Sequence, residues 1–564
     1  MPAVFRPALL GVALFSGPLL AAPPVSPGDR ELARERQQQV LEEQRRRLED
    51  LQGLPGQIAV PTAPAPLDDG QCITVTRINI EGATLLPEGQ REALLQPWQG
   101  RCLGGPQLNA VLKSLTDHYL HRGYVTTRAY LPQQDLKHGE LNIIVVEGRL
   151  EGLDSSSLAS PLESAMTFPG TVGEVLDLRE LEQWVDQLSR LPSRQPQLEV
   201  LPGQAVGGSR VTLKGERREP WRVSANRNNH GDASTGRQQA GIGLDWDSPL
   251  GLADQLNLRA SRDTVSDRWR HSHSQNLFYS LPYGWWTFNV SHSQSFYRTR
   301  NDLSGFAFAL SGETSSQQLR AERVLHRDNL GKTAFSFGLS HLRTRNYLED
   351  ALLRTSSHRI TERQLGFNHG RRIGNAFLNL DAGWQQGIGA LDAQRDLSTQ
   401  RGAPTSRYQK YTLTLSYLQA FRWLGQHWSV DSLATGQYAE DELYGPQRLS
   451  VGGLGAVRGF QQQNLSGNSG GYWRSQVRWR QPVAWEALRP WVHEVGVGFG
   501  YDVGVIRRGP HNPDVAGRLT GHAWELSARG SHLAASLVLA RSLERPAIVE
   551  RREHPIYARI DLFF

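Results

Sequence analysis

The residue types that catalyse reactions are present, but they form no catalytic arrangement. The 17 histidines are scattered along the chain, and no Gly-x-Ser-x-Gly nucleophile elbow occurs. Gly496, Gly498 and Gly500 lie inside an alternating run, not at the strand-to-helix turn that a nucleotide-binding loop requires. We therefore predict no enzyme and no cofactor. The net charge of +6 is spread without a compact basic patch, which argues against nucleic acid as a partner.

Cys72 and Cys102 are the two cysteines of the chain. In an oxidising compartment we expect them to form a disulfide that closes a loop of about 30 residues and contributes roughly 3–4 kcal/mol. The alternative is two unpaired buried thiols. A structural zinc site would need histidine ligands as well, and no paired histidine spacing accompanies the cysteines.

Residues 1–22 have the features of a secretory signal peptide. Arg6 precedes an apolar stretch over residues 8–20, and Ala21 and Ala22 offer a cleavage site. The mature protein is therefore expected outside the cytoplasm, in agreement with a disulfide. Because Pro18 interrupts the apolar stretch, an uncleaved start is the alternative.

Residues 23–52 are predicted to contain one long charged helix, beginning near Asp29 after a Ser26-Pro27 start signal. At 1.5 Å per residue it would be a rod of roughly 36 Å, too polar to cross a membrane except inside a wet pore. The alternative is a solvated helix or a weak coiled coil. Residues 53–71 contain four prolines and are predicted to be an extended linker, which would leave the helix tethered and detachable.

Two small α+β units are predicted next. Residues 72–148 have the order strand, helix, helix, strand, strand. Residues 149–218 repeat this order of elements more than they repeat the residues. We treat them as two domains of one kind.

Residues 219–564 consist of alternating runs separated by Gly, Asn, Asp and Ser. In one run Ala240, Ile242, Leu244 and Trp246 share a face, opposite two glycines and Asp245. At about 21 residues per strand and connection, the region predicts about 16 strands of a transmembrane antiparallel β-barrel. A soluble β-sandwich is the alternative. The last run, IYARIDLFF, alternates and ends in the aromatic Phe564, which we interpret as a C-terminal assembly signal.

Several stretches resemble the outer-membrane transporters of two-partner secretion, the haemolysin-activator family. They are CITVTRINIEGATLL, RGYVTTRAYLPQQDL, VVEGRLEGL and VGGLGAVRGF, at residues 72–86, 122–136, 145–153 and 451–460. The resemblance covers nearly the whole mature chain. It implies two periplasmic POTRA-like domains, a 16-strand barrel in the outer membrane of a Gram-negative bacterium, and a plug-like role for the N-terminal helix.

The tetrapeptide Val457, Arg458, Gly459 and Phe460 resembles the functional loop motif of this family. Its arginine needs an acidic partner, and strand parity places Glu494 and Asp502 on the lumen side. We expect Arg458 to pair with Asp502. The family pattern has an aromatic residue two positions before this aspartate, whereas this chain has Gly500 there. The alternative is an arginine in a surface loop.

The resemblance implies a function and a set of partners. We expect secretion of one large exoprotein with an N-terminal secretion domain, in extended form, through the barrel to the cell surface. Further expected partners are outer-membrane lipid and, during biogenesis, the barrel-assembly machinery. Six basic residues should face the lumen: Arg259, Lys410, Arg474, Arg478, Arg480 and Arg559. A barrel-assembly factor is the first alternative function, and a passive porin is the second.

Overall fold

A computed structural model describes residues 26–54 and 72–564, apart from 266, 268, 304–305, 397, 399, 401 and 510–514. The predicted signal peptide and almost all of the predicted linker lie outside the described residues. Among the helices that the model describes, none is long and apolar enough to cross a membrane.

The N-terminal helix α1 spans Pro27–Gln52 and starts two residues before the predicted position. The Ser26 hydroxyl accepts a hydrogen bond from the Asp29 backbone N–H at 3.1 Å, and Pro27 occupies the first turn, where its missing N–H costs nothing. The helix has 26 residues, which correspond to roughly 39 Å. That length exceeds the roughly 30 Å hydrocarbon thickness of a membrane.

Module 1 follows, and its five strands form two separate sheets. Its elements are β1 Cys72–Val75, β2 Arg77–Glu81, α2 Glu88–Leu95, β3 Arg101–Gly104, α3 Gly105–His121, β4 Arg128–Tyr130 and β5 Glu140–Val146. Strands pair in the order β2-β5-β4, and the two helices cover this sheet around a buried core that includes Val111, Leu115 and Leu141. The β3 strand, which the sequence pattern did not indicate, pairs with β1. Cys72 and Cys102 form a disulfide across this pair, with Cα atoms 5.3 Å apart.

Module 2 has the same plan with fewer strands. Its elements are β6 Arg149–Asp154, α4 Pro161–Thr167, α5 Leu178–Ser189, β7 Gln197–Pro202 and β8 Gly208–Lys214. The sheet order is β6-β8-β7, and β7 is an open edge. Trp184 of α5 is fully buried, and Ala253, from residues 248–254 between the second and third strands of the following barrel, packs into the same core. Module 2 is therefore fused to one end of the barrel, here called the module end; the opposite end is the far end.

Within the described part of the chain, sixteen antiparallel strands form a closed barrel. They are β9 Trp221–Asn228, β10 Gln239–Asp247, β11 Gln255–Asp263, β12 His271–Tyr283, β13 Trp286–Leu303, β14 Phe306–Arg327, β15 Gly331–Leu348, β17 His358–Ile373, β18 Ala376–Ile388, β19 Gln409–Trp423, β20 Gln426–Ala439, β23 Gly470–Pro482, β24 Glu494–Ile506, β25 Gly517–Arg529, β26 Leu533–Glu544 and β27 Ile556–Phe563. The two-residue strand β16, Ala351–Leu352, only extends the β15–β17 hairpin. Closure comes from the pairing of β27 with β9.

The outer wall of the barrel is apolar, as the alternating runs predict. Ile242, Trp246, Leu413 and Phe499 are among the exposed large apolar side chains. Lumen-side neighbours such as Gly243 and Asp502 are buried. Exposed apolar side chains on one face and buried polar ones on the other are the pattern of a lipid-facing barrel.

Candidate functional site

The connection between β20 and β23 folds back into the barrel. It contains the short helix η1 Gly445–Gln447 and the two-stranded pair β21 Leu449–Val451 and β22 Leu465–Gly467. We call residues 440–469 the inner loop. Gly452 and Gly453 have φ angles of 130° and 92°, which side chains rarely adopt, so glycine permits the sharp turn there.

The tip of the inner loop is anchored by Arg458. Its guanidinium donates to both carboxylate oxygens of Asp502, from Nη2 to Oδ1 at 2.6 Å and from Nε to Oδ2 at 2.8 Å. The Arg458 backbone N–H also donates to Asp502 Oδ2, at 2.9 Å. The two side chains are 1% and 0% exposed. A buried bidentate pair of this kind is strong, and losing either partner leaves an uncompensated charge.

Neighbouring groups complete the coordination of Arg458. Its Nη1 donates to Gln476 Oε1 at 2.6 Å, and the Gln476 amide donates in turn to Glu525 at 2.6 Å. The Tyr557 hydroxyl donates to the Arg458 carbonyl oxygen at 3.1 Å. The structure therefore places Arg458 and Asp502 together inside the lumen, not in a surface loop.

Gly500 explains how this pair fits. A Cβ atom added at Gly500 would collide with the Arg458 guanidinium. The position at which the family pattern has an aromatic residue is thus the space that the arginine occupies in this chain. The departure from the pattern is compatible with the pairing because it makes room for the guanidinium.

The other motif residues form an apolar base for the loop. Val457 and Phe460 are fully buried in a cluster with Val451, Leu465 and Ile506. Gly459 lies against the backbone of Arg541, where a Cβ would approach the Arg541 carbonyl oxygen to 2.7 Å. The loop tip is therefore held by both apolar packing and an ion pair.

Helix α1 occupies the rest of the lumen. Near the far end Arg30 approaches Asp232 at 3.5 Å, and near the module end the Arg372 guanidinium donates to the Leu54 carbonyl oxygen at 3.3 Å. The helix contacts six barrel strands along its length, namely β13, β14, β15, β17, β18 and β19, and it also contacts η1 and β21 of the inner loop. It therefore spans the barrel from end to end.

Most of the contacts that hold α1 are hydrogen bonds from amides and guanidinium groups. Gln37 donates to the Ser450 carbonyl oxygen of the inner loop at 2.9 Å. Gln44 donates to Asp381 at 2.6 Å and accepts from Ser416 at 2.8 Å. Arg47 forms a bidentate pair with Glu322, at 2.7 and 2.5 Å. Apolar packing occurs at two places: Leu48, Leu51 and Leu54 meet Phe377, and Val40 and Leu41 pack against the apolar cluster of the inner loop.

Module 2 contacts the same end of the barrel through α5. Asp186 pairs with Lys332 at 2.5 Å and with Arg327 at 3.1 Å. Burial alone would raise the pKa of Asp186, but Lys332 and Arg327 outweigh burial and hold it well below its ordinary range. Arg47 and Asp50 of α1 line one small cavity together with Asp186 and Lys332. The plug helix, the barrel wall and module 2 thus meet in one charged cluster.

Most of the predicted lumen cations face a carboxylate. Four pairs have N–O distances of 2.6, 3.6, 3.5 and 2.6 Å: Arg259 with Asp245, Lys410 with Glu362, Arg478 with Asp431, and Arg559 with Asp561. Arg474 donates to the Leu454 carbonyl oxygen at 2.9 Å, and Arg480 is exposed. Four of the six basic residues predicted to face the lumen are therefore paired with a carboxylate.

Phe564 lies at the seam that closes the barrel. Its backbone N–H donates to the Val223 carbonyl oxygen at 2.9 Å, and its side chain is exposed. This position leaves the assembly-signal role of Phe564 a prediction.

Sequence reasoning missed the amide contacts of α1 and the contacts of module 2. Gln476 could have been found, because its strand parity is that of the lumen face. Gln37, Gln44 and Asp186 had no such signal, because a polar residue on a charged helix is ordinary.

A lipid-facing sixteen-strand barrel, blocked by a helix and an inner loop and joined to two α+β modules, defines an outer-membrane transporter of the POTRA-barrel class. The model of the haemolysin secretion/activation protein family ShlB/FhaC/HecB matches residues 207–528. A ShlB-type POTRA model matches residues 73–148, and a second POTRA model matches residues 149–202. The chain belongs to the ShlB/FhaC/HecB family.

Similar proteins agree with this assignment. Outer membrane transporter CdiB of Escherichia coli O6:K15:H31 is 33% identical over 98% of this chain and 92% of its own length. Hemolysin transporter protein HpmB of Proteus mirabilis is 30% identical over 78% of each chain. The solved structure of CdiB from Escherichia coli has a TM-score of 0.90 at 32% identity, covering 96% of this chain and 100% of that one.

The predicted family, fold class, transport function and location are confirmed. The protein is an outer-membrane transporter of two-partner secretion, and its POTRA modules lie in the periplasm. The module end of the barrel is accordingly the periplasmic end, and the far end faces the cell exterior. Family membership favours this function over barrel assembly, the first alternative.

Proposed function

We propose that the protein recognises one large exoprotein in the periplasm by an N-terminal secretion domain and moves it in extended form through the lumen. Helix α1 leaves the lumen during this process, while the inner loop stays anchored by Arg458. The observation that carries the proposal is the way α1 is held: a complete lumen-filling helix secured largely by polar contacts.

Polar contacts suit a plug that is removed and replaced. The amide groups of Gln37 and Gln44 exchange protein partners for water when the helix leaves, so the net cost of each hydrogen bond is only about 0.5–1.5 kcal/mol. A plug with a continuous dry apolar face would instead expose that surface to a wet channel. The apolar contacts of α1 form separate patches, at Val40 and Leu41 and at Leu48 and Leu51, instead of one continuous face.

Substrate capture fits the open sheet edges of the modules. The β7 edge of module 2 has exposed Val200 and Leu201, and the β4 edge of module 1 has exposed Tyr130. An extended segment can add to such an edge through main-chain hydrogen bonds, which demand little of its sequence. Progressive folding of the exoprotein outside the cell then supplies the direction of movement.

A reversible crosslink tests whether α1 must leave. Ser416 and Gln44 are hydrogen-bonded and buried, so a Gln44→Cys/Ser416→Cys variant is expected to lock the helix to β19 under oxidising conditions. The exoprotein encoded beside the gene is co-expressed, and its appearance in the medium is measured before and after a reductant is added. We expect secretion to be absent when the helix is locked and to return on reduction.

The matched control is Arg45→Cys/Ser416→Cys, because Arg45 is exposed on another face of the same helix. It experiences the same reductant, including reduction of the Cys72–Cys102 disulfide, without a lock. Secretion at the control rate by the locked variant would contradict the proposal. The porin alternative predicts that deleting residues 27–52 leaves conductance across a planar bilayer unchanged, whereas we expect it to rise severalfold.

A further inference from the structure

Most periplasmic connections of the barrel are short, and one of the two longer ones is not covered by module 2. Five of them contain two or three residues: 284–285, 328–330, 374–375, 424–425 and 530–532. The connection at residues 248–254 is longer, and it is covered by module 2, where Ala253 is fully buried. The connection at residues 483–493, between β23 and β24, is the longest of these, and no described residue of module 2 covers it.

This connection, which we call the Trp turn, is a helical turn with an apolar face. The backbone N–H groups of Leu488 and Arg489 both donate to the Trp485 carbonyl oxygen, at 3.1 and 3.0 Å. Residues three or four apart on such a turn share a face, so Trp485, Leu488 and Trp491 project together. Trp485 is 74% exposed and Trp491 is 66% exposed. Exposing two indoles to water is unfavourable, and no contact in the described structure shields them.

The apolar face continues the lipid-facing wall. On the two strands that lead into the turn, Val477 and Val495 are exposed on the outer face of the barrel. Around the same rim Trp246, Tyr283 and Trp423 are exposed near the periplasmic strand ends. Aromatic rings of this kind collect at the membrane–water boundary, where an apolar ring and a polar N–H or O–H are both satisfied.

We propose that the Trp turn is an interfacial anchor that inserts Trp485, Leu488 and Trp491 into the headgroup region of the periplasmic leaflet. The partner is a phospholipid surface. Glu486, which is not three or four residues from any of these side chains, remains in water. The anchor lies across the barrel from the strands that contact module 2, so the rim is attached to the membrane on the side where no module supports it.

Fluorescence quenching in vesicles tests this proposal. Both native cysteines are in a disulfide, so a single introduced cysteine can be labelled with bimane in the full-length protein. The probe position is Leu488→Cys, which leaves both tryptophans in place. Controls are Glu486→Cys on the same turn and Lys137→Cys, whose native side chain is 85% exposed on module 1. The vesicles contain phosphatidylethanolamine and phosphatidylglycerol with a nitroxide on carbon 5 of the acyl chain.

We expect bimane at residue 488 to be quenched by the nitroxide lipid at least threefold more than at residues 486 and 137, and to be protected from aqueous iodide. Adding Trp485→Ser and Trp491→Ser should reverse this preference. Iodide quenching equal to that of Lys137→Cys would overturn the proposal. So would protection from both quenchers that depends on protein density, which indicates a second copy as the occupant. If the triple variant does not insert, the comparison of residues 488 and 486 still decides.

Discussion

The buried Arg458–Asp502 pair should behave differently from an exposed pair of the same length. Arg458 Nη2 lies 2.6 Å from Asp502 Oδ1, with side chains 1% and 0% exposed. Arg259 Nη2 lies 2.6 Å from Asp245 Oδ1, with side chains 42% and 21% exposed. The shortest N–O distance is thus matched, whereas burial and the number of hydrogen bonds are not. A difference between the two pairs reports burial together with the bidentate geometry that burial accompanies.

We expect Asp502→Ala to lower the free energy of unfolding by about 3–5 kcal/mol, because the guanidinium is left buried without its counter-charge. Asp245→Ala should cost at most about 1 kcal/mol. The Arg458→Ala/Asp502→Ala variant should cost about 2 kcal/mol less than the sum of its two single variants, since no charge is then stranded.

The assay is urea unfolding of the full chain in phospholipid vesicles, read from the gel mobility of folded barrels without heating. Asp502→Asn is the conservative variant: it keeps the volume and one acceptor, and removes the charge. Simple additivity of the single variants, or a cost for Asp502→Ala no larger than that for Asp245→Ala, would refute the argument that burial makes this pair strong.

Three further predictions follow from other contacts. Gly500→Ala should displace the guanidinium and lower stability nearly as much as Asp502→Ala. Gly509→Ala, where no atom of the described residues lies within 4 Å of an added Cβ, should be neutral in the same urea assay. Asp186→Asn removes the ion pair with Lys332 and should let module 2 move relative to the barrel. The distribution of distances between spin labels on module 2 and on the barrel rim should then broaden. An unchanged distribution would show that the ion pair does not hold the module. Burial, together with the carboxylates of Asp177 and Glu174, raises the pKa of Glu180 to about 7. A carboxyl group with a raised pKa contributes its full stabilisation below its unfolded pKa of about 4.5, and the fold loses that contribution as the pH rises through about 7. Glu180→Gln should therefore flatten the dependence of stability on pH between these two values. Equal slopes for the two proteins would contradict this.

Much of the barrel could be predicted because the alternation of apolar and polar residues within each strand shows which side chains face the lipid. Alternation in the run containing Ile242 identifies the lipid face without any knowledge of neighbouring strands. The same parity places Asp502 in the lumen. The long charged helix could be predicted equally well, since caps and helix-forming residues are local signals.

Contacts between distant elements could not be predicted in this way. The β3 strand, Arg101–Gly104, is four residues long and exists because it pairs with β1, almost thirty residues earlier. Asp186 and Lys332 are separated by 146 residues, and neither sits in a motif. The role of Gly500 depends on a guanidinium that arrives from the inner loop. Such features depend on packing between residues that are distant in the chain, and no local pattern in a single sequence indicates them.

The two obstructions in the lumen are held by different kinds of contact, and this difference bears on which one moves. The inner loop combines the buried ion pair of Arg458 with a dry cluster around Val457 and Phe460, so removing it would expose apolar surface and separate two buried charges. Helix α1 is held by the side-chain amides of Gln37 and Gln44 and by the ion pair of Arg47 with Glu322. Water can replace the partners of the amides at small cost. This difference supports our proposal that the transporter opens by releasing the helix while the loop remains. The charged cluster of Asp186 and Lys332 places module 2 beside the helix, where substrate binding to the module is expected to bias that release.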